Sequence, residues 1–152
     1  MTDRPEPNTN PSPRETQWHI LHVVDGLGAY GGTERNVVRN LRHFTDSRLR
    51  HSLVVLYDRM GRAAEVPGSV EVICLSRPGE SMPWLPVLMR RLSALVRQSQ
   101  PDLIHCSLAN SSLASRVVGQ LRGIPVVESL VNLSYEPIRL VNNPGIKRRN
   151  FE

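Results

Sequence analysis

Short apolar runs alternate with amphipathic segments along most of this chain, and this alternation constrains its fold more than any other feature. Runs of strand length lie at 20–24, 53–57, 70–75, 102–106 and 124–129. Three of the segments between them repeat apolar residues at helical spacing, as in Leu85, Leu88, Leu92 and Val96. Apolar strands joined through helices are typical of a parallel sheet with both faces covered. Right-handed crossovers then favour a doubly wound order. We predict an α/β fold, a Rossmann-like parallel sheet with helices on both faces.

The first and last helices can be placed more closely. Thr33 is the predicted N-cap of the first, with Val37, Val38 and Leu41 on its buried side. The last helix is marked by Leu113, Val117, Val118 and Leu121, and it should stop near Gly123.

The two ends of the chain differ from its middle. Residues 1–17 carry four prolines among polar residues and predict a disordered leader. Residues 18–152 fit one domain. After Tyr135 the chain becomes irregular and basic, and it reaches Glu152 without a clear ending. We therefore expect that the domain is incomplete at its C-terminus.

Composition narrows the classes of partner. Nineteen basic and 14 acidic residues give a net charge of +5, which favours anionic partners such as phosphates or an acidic membrane. Nucleic acid is not expected, because only 5% of residues are aromatic and no basic–aromatic interleaving is present. The two cysteines, Cys74 and Cys106, lie in apolar runs without metal-ligand spacing, so a structural zinc site is not expected. No signal peptide or spanning segment is evident, which makes a cytoplasmic location the default.

Ligands of such sheets bind beyond the carboxyl ends of the strands, where three loops of this chain should converge. These loops are 26–34, 105–112 and 129–135. In the first, the candidate diphosphate-binding and substrate-binding residues Gly31, Gly32, Thr33 and Glu34 open a helix. Free backbone N–H groups and the positive end of the helix dipole favour an anion there.

A dinucleotide site is the alternative interpretation of the same loop. Gly26, Gly28 and Gly31 match the spacing of the NAD-binding fingerprint, and Asp58 lies near the end of the second strand. Glu34 would repel a pyrophosphate bound at this loop, which weighs against NAD.

Three motifs together carry a resemblance to a known family. Residues 20–25 followed by Gly31-Gly32-x-Glu34-Arg35 resemble the opening of family 4 glycosyltransferases. Residues 101–105 are similar to the fourth strand of that family, and residues 123–127 to its fifth. The similarity extends from about Trp18 to Tyr135 in the right order.

The resemblance implies the N-terminal, acceptor-side domain of a two-domain GT-B enzyme. Such an enzyme transfers a hexose, with retention, from a nucleotide sugar to a glycan, lipid or small-molecule acceptor and requires no metal or other cofactor. The donor-binding C-terminal domain would be a separate part of the parent protein, so this chain alone should be inactive. A non-catalytic binding domain or pseudo-enzyme is the alternative.

The same resemblance suggests acceptor-binding residues and shows two departures. His105, Asn110, Asn132 and Tyr135 lie in the loops that would face an acceptor. Many relatives carry histidines where this chain has Ser107 and Val131. Glu128 and Glu136 reproduce the E-x7-E spacing of the family, but that motif belongs to the other domain, so the match is interpreted as coincidence.

A basic helix face suggests one further partner. Trp84, Leu85, Met89, Arg90 and Arg91 combine apolar and cationic side chains on the second helix. Such a surface could hold the protein at the inner face of an anionic membrane.

Overall fold

A five-stranded sheet organises the computed structural model, which describes residues 17–44, 46–80 and 83–129. The strands are β1 (Trp18–Val24), β2 (Leu49–Val55), β3 (Glu71–Cys74), β4 (Leu103–Ser107) and β5 (Val126–Ser129), and the helices are α1 (Gly32–His43), α2 (Leu85–Ser99) and α3 (Ala109–Arg122). The strand order is β3-β2-β1-β4-β5, and every neighbouring pair is parallel. The predicted α/β Rossmann-like fold is confirmed. The predicted leader lies outside the described residues, except for its last residue, Gln17.

Each face of the sheet has its own core. Leu21, Val23 and Ile104 pack with α2 and α3 on one face. On the other, Val24 and Leu53 pack with α1. Successive side chains of a strand point to opposite faces, so apolar residues at every position are needed to fill both cores. This is why the strands appear in the sequence as continuous apolar runs.

The start of α1 differs from the prediction. Gly31 is the N-cap, with extended dihedral angles of −80° and 133°, and α1 begins at Gly32. Thr33 lies inside the first turn, where it is buried on the same side as Val37. The prediction of Thr33 as N-cap was therefore wrong, because the hydroxyl side chain is used for packing and the extended residue is a glycine.

β2 begins earlier than its apolar run suggests. Leu49, Arg50 and His51 pair with Trp18, His19 and Ile20 of β1. Two of these three residues are polar, so hydrophobicity alone does not reveal this part of the strand. After the strand, Leu56 and Tyr57 donate backbone hydrogen bonds to the carbonyls of Val24 and Asp25.

α3 turns its large apolar residues outward. Leu113 and Leu121, which belong to the apolar repeat that predicted this helix, are 50% and 74% exposed. The buried side instead carries small residues, which are Ser111, Ser112, Ala114, Ser115, Val118 and Gly119. A Cβ on Gly119 would lie 2.3 Å from Cγ2 of Val126, so the helix approaches β5 too closely for larger side chains. The predicted end is confirmed, since Gly123 is the C-cap with a φ of 68°.

None of the helices that the structure describes is both long and apolar enough to span a bilayer.

Candidate functional site

The start of α1 lies at the carboxyl edge of β1 and offers free backbone groups. β1 ends at Val24 and α1 begins at Gly32. Within residues 17–44, 46–80 and 83–129, no side chain caps this helix, and the N–H groups of Gly31 and Gly32 have no hydrogen-bond acceptor. The predicted placement of these two glycines at the sheet edge agrees with the structure. An open helix start of this kind attracts anions through its N–H groups and its dipole.

Glu34 folds back over the glycine loop. A Cβ on Gly31 would lie 1.7 Å from Oε2 of Glu34, and one on Gly28 would lie 3.9 Å from Oε1. A side chain at position 31 would therefore displace the Glu34 carboxylate, which is the mobile end of a flexible side chain and can move aside. A Cβ on Gly32 would meet no atom within 4 Å. Packing therefore does not explain why position 32 is a glycine.

The loop that follows β2 supports the glycine loop from the other side. The N–H of Leu27 donates to the carbonyl of Arg59 at 2.6 Å, and the N–H of Arg62 donates to the carbonyl of Leu27 at 3.0 Å. The guanidinium of Arg62 also donates to the carbonyl of Ala29. A Cβ on Gly26 would lie 3.1 Å from Cβ of Arg59. The first glycine of the NAD-like spacing therefore faces the protein's own chain, where it permits a tight turn.

Asp25 connects the end of β1 to the start of α3. Its carboxylate accepts a hydrogen bond from the N–H of Ser111 at 2.7 Å and another from Nδ2 of Asn110 at 3.2 Å. An acidic side chain in this position satisfies an unpaired helical N–H and stabilises the helix dipole. Loop 105–112 is thus in direct contact with Asp25, the residue that immediately precedes loop 26–34. Sequence reasoning missed the role of Asp25, although an acidic residue directly after a parallel strand was a usable signal.

The backbone at the β4–α3 junction is strained. Leu108 has φ of 85° and ψ of 159°, a region that residues other than glycine rarely occupy. It immediately precedes α3 and follows Ser107, the last residue of β4. The turn therefore holds an energetically unfavourable conformation at the edge where ligands of this fold class bind.

Three histidines and a serine form a row across the sheet. Nε2 of His105 lies 2.7 Å from Oγ of Ser129, and its Nδ1 lies 3.0 Å from Nδ1 of His22. Nε2 of His22 lies 3.0 Å from Nδ1 of His51. The ring of Phe44 stacks on His51 with centroids 5.6 Å apart.

Burial keeps these imidazoles neutral. Burial, together with the neighbouring rings of His105 and His51, lowers the pKa of His22 to about 3. Burial also lowers the pKa values of His51 and His105. A charged imidazole would lose its hydration in this row, so the uncharged form is favoured near neutral pH.

The predicted acceptor-binding residues divide into two groups. His105 and Asn110 are described, and both are engaged within the protein: His105 with His22 and Ser129, and Asn110 with Asp25. Asn132 and Tyr135 lie outside the described residues, as does Val131. Ser107, which stands where relatives carry a histidine, is buried. Acceptor binding by these residues stays a prediction.

Two other sequence features have structural outcomes. Glu128 pairs with Arg116 of α3, while Glu136 is not described, so the E-x7-E spacing is not visible as a pair. In the described part of the chain, no group of three His, Cys, Asp or Glu side chains is arranged to hold a metal ion.

Three solved structures share this fold. A UGT transferase from Siraitia grosvenorii in complex with UDP is 13% identical with a TM-score of 0.53, covering 72% of this chain and 27% of that one. The calicheamicin glycosyltransferase CalG4 is 17% identical with a TM-score of 0.53, covering 85% and 37%. A UDP-N-acetylglucosamine 2-epimerase is 12% identical with a TM-score of 0.53, covering 86% and 38%. At these identities the likeness shows the fold, and the chain spans less than two fifths of each of these proteins.

Sequence comparison identifies the family. The search of curated proteins gave no match. The family model described as "Glycosyl transferase 4-like domain" matches residues 31–148, which is more than half of the chain. This match begins at the glycines that open α1 and includes β4 and β5. The resemblance inferred from the motifs is therefore confirmed, and the chain belongs to the family of glycosyl transferase 4-like domains.

Proposed function

We propose that this chain is the N-terminal, acceptor-side domain of a retaining glycosyltransferase that moves a hexose from a nucleotide sugar to a glycan, lipid or small-molecule acceptor. The donor-binding domain would be a second unit of the parent protein, and this chain alone would be inactive. Family membership supports transfer chemistry, and the structural neighbours include a UDP complex.

The open start of α1 is the observation that carries this proposal. Loss of the nucleotide diphosphate places negative charge on the leaving group, which fixed hydrogen-bond donors can stabilise. The N–H groups of Gly31 and Gly32 are free in the described structure, and Gly32 is bare without a packing reason. We assign these amides to the diphosphate or to the transferred sugar.

Glu34 sets a condition on this assignment. Its carboxylate lies beside Gly31, where it would repel a diphosphate that came equally close. A carboxylate accepts hydrogen bonds from sugar hydroxyls without such a cost. We therefore assign Glu34 to a hydroxyl of the sugar or acceptor, and the diphosphate to the side of the loop at Gly32.

The experiment that tests the proposal is a nucleotide titration of the 152-residue chain. UDP and inorganic pyrophosphate are added to ¹⁵N-labelled protein, and backbone amide resonances are followed. The largest shifts should be at Gly31, Gly32 and Thr33. Shifts confined to exposed arginines, with none at the start of α1, would remove the diphosphate assignment.

A non-catalytic binding domain is the second candidate, and the histidines favour it. Both ring nitrogens of His105 are engaged by side chains of the protein, so this histidine presents no free base in the described structure. Activity of the domain joined to its donor-binding half distinguishes the two, because a binding domain would retain a ligand without turnover.

We propose that the protein binds the membrane in which a lipid acceptor would lie. The surface that would contact this membrane differs from the one expected from the sequence. Arg91 donates to the carbonyl of Leu75 and to Glu80, both at 2.7 Å, so it is committed within the protein. A groove of about 340 Å³ lies instead between α2 and α3. Its lining includes Met89, Val117 and Leu121 together with Arg90, Arg97 and Arg122. Apolar and cationic groups side by side suit an anionic bilayer surface.

A further inference from the structure

The row of Ser129, His105, His22 and His51 crosses four strands as one continuous series of hydrogen bonds. It runs from β5 through β4 and β1 to β2, with heavy-atom separations of 2.7, 3.0 and 3.0 Å. His22 and His105 are direct partners in the parallel register of β1 and β4. Side chains of neighbouring strands on one face can meet in this way, so the fold itself sets up the row.

Only two proton arrangements connect neutral imidazoles in such a row. Each neutral ring donates through one nitrogen and accepts through the other. In the first arrangement all bonds point towards β2, so Ser129 donates to His105, and His51 carries its hydrogen on Nε2. In the second all bonds point towards β5, so His51 donates through Nδ1, and His105 donates through Nε2 to Oγ of Ser129. Fixing one end therefore fixes the other.

The buried end of the row selects the second arrangement. Nε2 of His51 is buried and has no hydrogen-bond partner among the described residues. The first arrangement would place an N–H there with no acceptor, and buried orphan donors are rare in folded proteins. The second leaves only a lone pair unpaired. The hydrogen bonds therefore run from His51 through His22 and His105 to Ser129.

Among the described residues, the other end of the row lies on the partly exposed edge strand β5. Ser129 is the last residue of β5, at the carboxyl edge, and its side chain is half-buried. Val127 points to the same face two residues earlier and is 50% exposed. Because Oγ of Ser129 accepts from His105, its own hydrogen is directed away from the row.

We propose that Ser129, with its hydroxyl hydrogen turned outward by the three-histidine row, is a binding residue for an oxygen atom of a neutral polyol such as a sugar. His51 and His22 are positioning residues that act through His105. This inference rests on the proposed function in taking the carboxyl edge as the acceptor side. It assigns the contact to Ser129 in place of His105, whose two ring nitrogens are occupied.

The direction of the row is measured by histidine NMR on the full 152-residue chain. Long-range ¹H–¹⁵N spectra distinguish protonated from bare ring nitrogens. The expected forms are Nδ1–H for His51, Nδ1–H for His22 and Nε2–H for His105. A His105 ring protonated on Nδ1 would overturn the proposal, because Ser129 would then donate inward. The wild-type spectrum decides this without any variant.

Two replacements of His51 test whether it positions the rest. His51→Asn keeps an N–H donor near the place of Nδ1, and His105 should stay in the Nε2–H form. His51→Leu removes the donor, and His105 should then appear as a mixture of both forms. The control is His43→Gln at the exposed end of α1, which should change neither ring. If the His105 ring keeps the same tautomer in His51→Leu, His51 does not position it.

A neutral sugar probe tests the contact itself. Methyl α-D-glucopyranoside is titrated into wild-type protein, Ser129→Thr and Ser129→Ala, with the His105 Nε2–H resonance as readout. The wild-type and threonine proteins should respond, and the alanine variant should respond at least tenfold less. The proposal is contradicted if the sugar shifts the His105 resonance equally in Ser129→Ala, or does not shift it in the wild type. The UDP titration reads Gly31 and Gly32 instead, so failure of one assignment is distinguishable from failure of the other.

Discussion

The carboxylate of Asp25 accepts a 2.7 Å hydrogen bond from the backbone N–H of Ser111, which lies 86 residues further along the chain. This bond joins the end of β1 to the first turn of α3, where the strand order reverses. An acidic side chain of the protein thereby occupies one helix start at the sheet edge. Among the described residues, the N–H groups of Gly31 and Gly32 at the start of α1 have no hydrogen-bond acceptor, although the carboxylate of Glu34 lies beside Gly31. Of these two helix starts, α1 is therefore the one with N–H groups available to a ligand.

Removing this cap should destabilise the domain. Asp25→Ala is expected to lower the free energy of unfolding by about 1–2 kcal/mol, since a capping acid is lost and the N–H of Ser111 is left unpaired. Asp58→Ala, an exposed carboxylate in the loop after β2, is the matched control and should change it by less than about 0.5 kcal/mol. Urea denaturation measures both. Equal effects would show that Asp25 is not a cap.

Strain at Leu108 should invert the usual order of stability, in which an alanine variant is more stable than a glycine variant. Leu108→Gly and Leu108→Ala remove the same contacts, but only glycine accepts a φ of 85° without strain. We expect the glycine variant to be more stable by about 1–2 kcal/mol. At exposed Leu121 inside α3, the alanine variant should instead be more stable by roughly 1 kcal/mol. Thermal unfolding of the four variants settles the comparison, and the same order at both positions would contradict it.

Gly32 should matter for ligands and not for folding. Gly32→Leu adds a Cβ that meets no atom within 4 Å, at an exposed position, so stability should change by less than about 1 kcal/mol. UDP binding to the chain, and turnover of the domain joined to its donor-binding half, should fall at least tenfold. Gly68→Leu is the control, because a Cβ there is equally unobstructed. Unchanged UDP binding in Gly32→Leu would argue against the diphosphate assignment.

Acidification should destabilise the domain through the histidine row. His105 of β4 and His51 of β2 lie beside His22. Burial first, and then repulsion from His105, His51 and His19, lowers the pKa of His22 from 6.5 to about 3. Between these values the unfolded chain binds a proton that the folded chain does not. The free energy of unfolding therefore has its full value above about pH 6.5 and falls as the pH drops. His22 contributes up to about 1.4 kcal/mol per pH unit to this fall. The lowered pKa values of His51 and His105 act in the same direction.

Chemical denaturation from about pH 7 to pH 4 measures this dependence. His22→Gln should flatten the curve, and His43→Gln should leave it as in the wild type. A wild-type curve that is flat over this range would contradict the burial of neutral histidines. If His22→Gln does not fold, His51→Asn supplies the comparison.

The arginines of the α2–α3 groove should control membrane binding. Arg90→Glu/Arg97→Glu reverses two charges of the groove, and co-sedimentation with phosphatidylserine vesicles should fall at least fivefold. Arg35→Glu/Arg39→Glu is matched in charge on exposed positions of α1 and should retain binding. Added salt should release the wild-type protein. An absence of binding by the wild-type chain at any salt concentration removes the membrane proposal.

The fold was predictable because a parallel sheet requires a repeating pattern that local sequence displays. Continuous apolar runs at β1, β4 and β5 and the stripe of α2 gave the element types and the α/β class. Gly123 marked the end of α3, since a left-handed C-cap favours glycine. The motifs also indicated the family, as the match over residues 31–148 shows.

Contacts between distant segments were decided only by the tertiary structure. The spacing of Leu113 and Leu121 predicted the helix but not which side is buried. The close approach of Gly119 to Val126 reserves the buried face of α3 for small residues. The capping of α3 by Asp25 depends on strand order. So does the meeting of His22, His51 and His105, which are scattered through the sequence. A chain specifies periodicity and turns locally, but the partner of a polar side chain is chosen by which strands become neighbours.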